Sequence, residues 1–312
     1  MHCDTIYELS DYRLYRRTRE TLRCNSGHVD LQRAAVYDHY AQVFALFCGS
    51  KPVASPEDAH TRFTHLLQTA QQTFADCGEE LILCRTAKDW EQAQQRGKTA
   101  AFLSVEGAEL LQCEEDIQTA LEAGVRIVTL TWNHDSVYGC GAVTDQEAGL
   151  KPAGKQLAQY LSAHGVYLDV SHLSERGFWE LADCVQAPLL ATHSDSRSIC
   201  NHPRNLTDAQ FCEIMRRGGL VGINGYVPFL TKHRTASCED MVRHIEHFCE
   251  LGGEKQLCIG ADWDGCDRLP KEILDVTGME HLAEALARHK YSDRQIADLF
   301  YHNAAAFVSQ YF

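Results

Sequence analysis

The sequence predicts an α/β fold, a (β/α)8 TIM-like barrel built from residues 1–312 as a single domain. Three observations predict it. Short β-branched or apolar runs alternate with helical patterns along the chain. The runs are apolar throughout, as in parallel strands covered by helices on their outer face. Counting a first strand at the N-terminus they number eight, and the glycine-rich first loop of an open dinucleotide-binding sheet is missing.

The elements follow in order. Strand one ends in His2-Cys3-Asp4, and residues 5–40 form a long polar lead to the second strand. The later strands are Gln42–Phe47, Thr99–Val105, Val125–Thr131, Val166–Val170, Pro188–Thr192, Leu220–Ile223 and Leu257–Gly260. Leu81–Arg85 reads as an extra strand or extended segment. Helix starts lie between them. Ser55-Pro56-Glu57-Asp58 offers a capping serine, proline in the first turn and acids that suit the helix dipole. Thr207-Asp208-Ala209-Gln210 has the form of a capping box. Ser174, Ser237 and Ser292 are caps for three more helices.

Composition narrows the partners. The chain carries 29 basic against 43 acidic residues, a formal charge of −14, with no basic run. That excludes nucleic acid and anionic membranes as main partners. No secretory signal, membrane-spanning stretch or anchor-type tail is visible. The 14 cysteines form no C-x-x-C pair and read as reduced thiols, which points to the cytoplasm.

The chemistry lies at the strand ends. Strand one ends in His2 and Asp4, strand three in Glu106, strand five in His172, strand six in His193 and strand eight in Asp262. In a parallel barrel these ends converge on one face, where barrel enzymes keep their active sites. His2 and Asp4, two residues apart on a strand, point the same way. Imidazole and carboxylate suit zinc or another divalent first-row metal. So many ligands exceed one tetrahedral ion and suit a pair. Two similar patterns read otherwise. His28-Val29-Asp30 repeats the His-x-Asp form after a turn and is taken as structural. His244, His247 and Cys249 have helical spacing and are taken as a solvated helix face.

With these residues placed, the sequence resembles the membrane (renal) dipeptidase family of the amidohydrolase superfamily over almost its whole length. The motifs are His2-Cys3-Asp4-Thr5, Gly27-His28-Val29-Asp30-Leu31, Ser104-Val105-Glu106-Gly107 and Gly149-Leu150-Lys151-Pro152-Ala153-Gly154. Asp169-Val170-Ser171-His172, Thr192-His193-Ser194, Pro203-Arg204-Asn205-Leu206-Thr207-Asp208 and Gly260-Ala261-Asp262-Trp263-Asp264-Gly265 complete them.

The resemblance implies a two-zinc metallopeptidase that hydrolyses dipeptides, including those with a D-residue second. It places His2 and Asp4 on one zinc, His172 and His193 on the other, and Glu106 between them. It makes Asp262 the acid/base, has Arg204 grip the substrate's terminal carboxylate, and implies a homodimer. Zinc ions roughly 3.5–4 Å apart would make hydroxide available at neutral pH and polarise the scissile carbonyl. Two features depart from the family. Only Met1 precedes His2, so either the chain starts further upstream or strand one is short. A short strand would leave neighbouring backbone groups unpaired and loosen the first ligand pair. The family's substrate-contacting histidine directly follows Thr-Leu-Thr, whereas here Trp132-Asn133 intervene before His134, which is the candidate for that contact. Two alternatives stand beside dipeptide hydrolysis: another amidohydrolase reaction, such as deacylation of N-acyl-amino acids, and a non-catalytic metal-binding barrel.

Overall fold

Residues 1–10, 12 and 20–312 are described by a computed structural model. The apolar runs form β1 (Ala41–Phe47), β2 (Leu81–Leu83), β3 (Thr99–Glu106), β4 (Val125–Thr129), β5 (Tyr167–Asp169), β6 (Leu190–Ala191), β7 (Leu220–Ile223) and β8 (Leu257–Ile259). They pair in parallel in the order β1-β3-β4-β5-β6-β7-β8, with β2 against β3. The extra segment is therefore a strand. It occupies β3 over Thr99–Ala101, and β4 takes over the same strand from Leu103, with a register shift between Leu103 and Ser104.

The wall closes through a single residue. Cys3 bridges Phe44 of β1 on one side and Trp263, just beyond β8, on the other, both in parallel. Backbone groups of successive strand residues face opposite neighbours, so three residues suffice for both edges. Cys3 N–H donates to the Val43 carbonyl at 3.0 Å, and its carbonyl accepts from Ala45 N–H at 3.0 Å. Asp4 N–H donates to the Trp263 carbonyl at 2.9 Å, and the Met1 amino group reaches the Ile259 carbonyl. The expectation of unpaired groups beside a short first strand is corrected here. Side chains also serve that edge. Asn303 donates to the Leu257 carbonyl at 2.8 Å, and Gln42 donates to the Val43 carbonyl at 3.0 Å.

Of the polar lead, Thr5–Leu9 and Leu31–Ala34 are helical, while residues 11 and 13–19 fall outside the described part. The predicted helix caps are present. Ser55 accepts from Asp58 N–H and Ser174 from Gly177 N–H, while Thr207 and Ser292 each form a capping box. Ser237 N–H is capped by Asp240. Strands five, six and eight stop short of their predicted ends because the chain leaves the ladder to place site residues. His172 and Asp262 adopt φ of +69° and +62°, a conformation that costs a side-chain-bearing residue energy. No helix among the described residues is long and apolar enough to cross a membrane.

Asn303 is the testable part of this closure. Replacing it by alanine leaves the Leu257 and Glu254 carbonyls without that donor. We expect Asn303→Ala to cost about 1–3 kcal/mol, read as a lowered thermal midpoint with unchanged far-UV dichroism.

Candidate metal centre

The strand ends bring His2, Asp4, Glu106, His172 and His193 together at one end of the barrel. None is more than 6% exposed, so their charges must be met by one another or by something bound. Glu106, at the end of β3, lies among the others with its two oxygens divided between them. Oε1 is 2.9 Å from His172 Nε2 and 3.5 Å from His193 Nε2. Oε2 is 3.4 Å from His2 Nε2, which in turn lies 3.5 Å from Asp4 Oδ1. His172 lies beside His193 and His2 beside Asp4, while the His2 and His193 rings are also close, with centroids 4.1 Å apart. Asp262 is adjacent, with Oδ1 3.9 Å from His2 Nε2.

The outer nitrogens of two imidazoles are held from behind. His172 Nδ1 is 2.8 Å from Asn133 Oδ1, an acceptor, so the proton sits on Nδ1 and Nε2 faces inward bare. His193 Nδ1 is 2.8 Å from Thr192 Oγ1, whose own hydroxyl donates to Asp169 Oδ2 at 2.6 Å. Asp169 is fixed in turn by Thr129 Oγ1 at 2.8 Å and by Ser171 N–H at 3.0 Å. The two bare Nε2 atoms come within 2.8 Å of each other. Two facing lone pairs repel unless a cation sits against them.

For His172 and His193 the electrostatics agree. Burial, with Arg204 adding to it, lowers His172 to about 4. Burial likewise holds His193 well below the usual imidazole range. Both are therefore neutral, the form that ligates a metal. Although burial opposes it, His2 is raised by Glu106 and Asp4, and despite its own burial Glu106 is held low by His2 and His172. Burial and then Glu106 raise Asp4. Divalent cations suit this set: His2 Nε2, Asp4 Oδ1 and Glu106 Oε2 are buried with no hydrogen-bond partner. Glu106 with His172 and His193, and His2 with Asp4 and Glu106, each place three ligand atoms within 4.8 Å of one another.

A glycine makes room for the carboxylates. A Cβ on Gly265 would lie 2.4 Å from Asp262 Oδ1 and 2.4 Å from Asp4 Oδ2. Asn224, directly after β7, donates to Asp262 Oδ2 at 3.3 Å and to the His193 carbonyl at 3.2 Å. Burial raises the Asp262 carboxyl above the ordinary aspartate range. Arg204 is only 3% exposed and its guanidinium lies 5.3 Å over the Phe229 ring. Its Nε and Nη2 are buried without a partner, and burial lowers it to about 10.

His134 is placed differently from the ligands. Its Nε2 is 2.9 Å from Glu109 Oε1 and its ring is 5.7 Å from the Trp132 indole. Trp132 stacks beside His172, with centroids 6.0 Å apart. The indole, not an imidazole, is thus the ring from this segment nearest the ligand set. His28 binds the loop beyond β8: its N–H donates to Asp264 Oδ1 at 2.6 Å, and its Nδ1 accepts from Asp264 N–H at 2.9 Å. Asp30 caps the helix Leu31–Ala34 and pairs with Arg33. That second His-x-Asp is structural, as read.

One reading of the helical histidines needs correction. His244 is fully buried, not solvated. Its Nδ1 accepts from Ser196 N–H at 3.0 Å and its Nε2 donates to the Leu230 carbonyl at 3.0 Å, fixing the loop that follows His193. The sequence reading gives no role to Asn133 or Asn224, and Thr192 enters it only within the motif Thr192-His193-Ser194. Asn224 follows a strand end by the same rule that found the ligands. Asn133 follows β4 by four residues, and no spacing rule points to it.

Two substitutions test this arrangement. Gly265→Ala should displace Asp4 and Asp262 and lower metal occupancy on a competitive chelator titration. Asn133→Ala should weaken metal retention by about 10–100-fold in the same titration, as loss of a ligand-orienting partner does. An unchanged titration would remove that role.

A family model, membrane dipeptidase (peptidase family M19), matches residues 1–310. An uncharacterized protein in the pqqA 5' region of Klebsiella pneumoniae is 33% identical over 248 residues, which cover 76% of this chain and 91% of that protein. A crystallised dipeptidase, a metallo peptidase of family M19, superposes with a TM-score of 0.85 at 28% identity, covering 92% of this chain and 90% of its own. A metallo peptidase from Rhodobacter sphaeroides, liganded with a phosphinate mimic of the dipeptide L-Ala-D-Ala, has a TM-score of 0.85. It is 24% identical, over 99% of this chain and 94% of that one, and shares the fold.

Proposed function

Because the chain belongs to the membrane dipeptidase family and is a metallo-dipeptidase, we propose that it works with two zinc ions on free dipeptides, including those with a D-residue second. The observation that carries this reading is the division of Glu106, one oxygen toward His172 and His193, the other toward His2. A carboxylate so placed suits a bridge between two cations. Zinc suits the nitrogen and oxygen donors. Bound there, the ions would lower the pKa of a water they share and polarise the scissile carbonyl.

The chain's own groups supply the rest. Asp262, steadied by Asn224, would take the attacking water's proton and return it to the departing amine. Its raised affinity for a proton, from burial, suits it to hold that proton between the two steps. Arg204 brings a buried guanidinium with two unpartnered nitrogens, which a carboxylate would satisfy. A substrate whose carboxylate sits one residue beyond the cleaved bond meets both demands. Trp132, and not His134, presents its ring beside His172, so this segment would offer a substrate an indole face rather than an imidazole. The free cysteines, Cys3 to Cys266, suit a reducing cytoplasm.

A panel of L-L and L-D dipeptides and their N-acetylated forms, assayed with and without chelator, tests the reading together with metal analysis. We expect at least about two zinc per chain, chelator-sensitive cleavage of the free dipeptides, and loss of turnover in His193→Ala. Preference for the acetylated forms would favour N-acyl-amino-acid deacylation instead. Arg204→Lys should raise KM by about tenfold or more with a smaller change in kcat, since an ammonium cannot replace the planar fork.

A further inference from the structure

A second group of metal-ligating side chains lies outside the barrel mouth. His60 belongs to the helix Pro56–Asp76, while Cys113 and Asp116 begin the helix Glu114–Ala123. Cys113 and Asp116 are three residues apart and so face the same way across the first turn. His60 Nδ1 is 2.7 Å from Asp116 Oδ1, and Cys113 Sγ is 3.0 Å from Asp116 Oδ2. One ligand atom from each residue lies within 4.8 Å of the other two. Asp116 is 2% exposed, whereas the His60 side chain is 51% exposed and Cys113 is open to solvent. A buried carboxylate thus forms the floor, and an imidazole and a thiol form an accessible rim.

We propose that His60, Cys113 and Asp116 form a second, peripheral binding site for a thiophilic divalent ion, zinc foremost, separate from the barrel centre. The donors are one nitrogen, one sulfur and one oxygen, which select zinc over magnesium or calcium. Three protein ligands leave a fourth tetrahedral position, open here to water because the rim faces solvent. Zinc with these donors spaces its ligand atoms about 3.3–3.6 Å apart, from bond lengths of about 2.0–2.3 Å. The present contacts are shorter because Asp116 accepts hydrogen bonds from both partners. Replacing those protons by an ion asks the side chains to separate by about half an ångström or somewhat more, within the reach of rotamer adjustment at an exposed rim. Binding is charge-balanced: the thiol proton leaves to solvent, the imidazole binds in its neutral form, and the ion takes thiolate and carboxylate. Glu115, the other charged group acting on His60, adds negative potential that favours a cation.

Without an ion, the same contacts are a thiol–carboxylate hydrogen bond and an interhelical ion pair, and the experiment separates these from a metal site. The protein is loaded with Co2+ in place of zinc and its absorption and metal content are read. The expected result is a sulfur-to-cobalt charge-transfer band in the near ultraviolet and one metal equivalent per chain lost in Cys113→Ser. His60→Ala should weaken that band by at least about half, while dipeptide turnover stays within about twofold of the parent in both variants. The barrel candidates contain no sulfur and Cys24 and Cys212 are the other exposed thiols, so it is loss of the band with Cys113 that assigns it to the peripheral site. No such band in the parent, or a band that survives Cys113→Ser, overturns the proposal and leaves the dipeptidase reading untouched.

Discussion

Glu106 is a carboxylate taken out of water at the end of β3, and a lone buried charge of that kind is too costly for a fold to keep. What surrounds it answers that cost from two sides. His172 and His193 approach one oxygen, and His2 with Asp4 the other. Those groups are themselves buried, and His2 Nε2, Asp4 Oδ1 and Glu106 Oε2 have no hydrogen-bond partner, which suits a metal-binding cluster. The barrel then has to hold the parts of an unfinished site at fixed separations. Asn133, Thr192 with Asp169, and Asn224 meet that requirement by occupying the backs of the ligands and of Asp262.

The same constraint accounts for the backbone strain at the barrel mouth. His172 and Asp262 take positive φ, as does Asp264. Each lies just beyond a strand, where the chain must turn a polar side chain back over the barrel mouth. Gly265 follows them because two carboxylates occupy the space its side chain would fill. The ladder supplies direction and the loops supply aim, and the energy stored in the loops is repaid by pairing across the site.

Much of this was legible in the sequence because a parallel barrel converts a one-dimensional rule into a three-dimensional site. A histidine or acid directly after an apolar run lands on the same face whatever the distance along the chain. That rule places His2, Asp4, Glu106, His172, His193 and Asp262, and it would have placed Asn224. It could not place Asn133, whose partner lies 39 residues away, or show that His244 is buried against Ser196, 48 residues distant. Helical spacing alone presents His244 as a polar residue with no reason to be inside. The short first strand misled for a related reason. Its pairing is made by the backbone of Cys3 and Asp4, with the distant Asn303 meeting the Leu257 carbonyl, and no strand pattern reveals so short a closure.

The single-residue closure at Cys3 also orders events in time. Cys3 needs β1 and the segment at Trp263 before both its edges are met, and the second of these is 260 positions further along the chain. A contact of that sequence separation carries a large loop-closure cost and is slow to form. His2 and Asp4 flank that contact, so their placement depends on packing of the distant segment at Trp263. His172 and His193 are only 21 positions apart and need no contact of that span to come together.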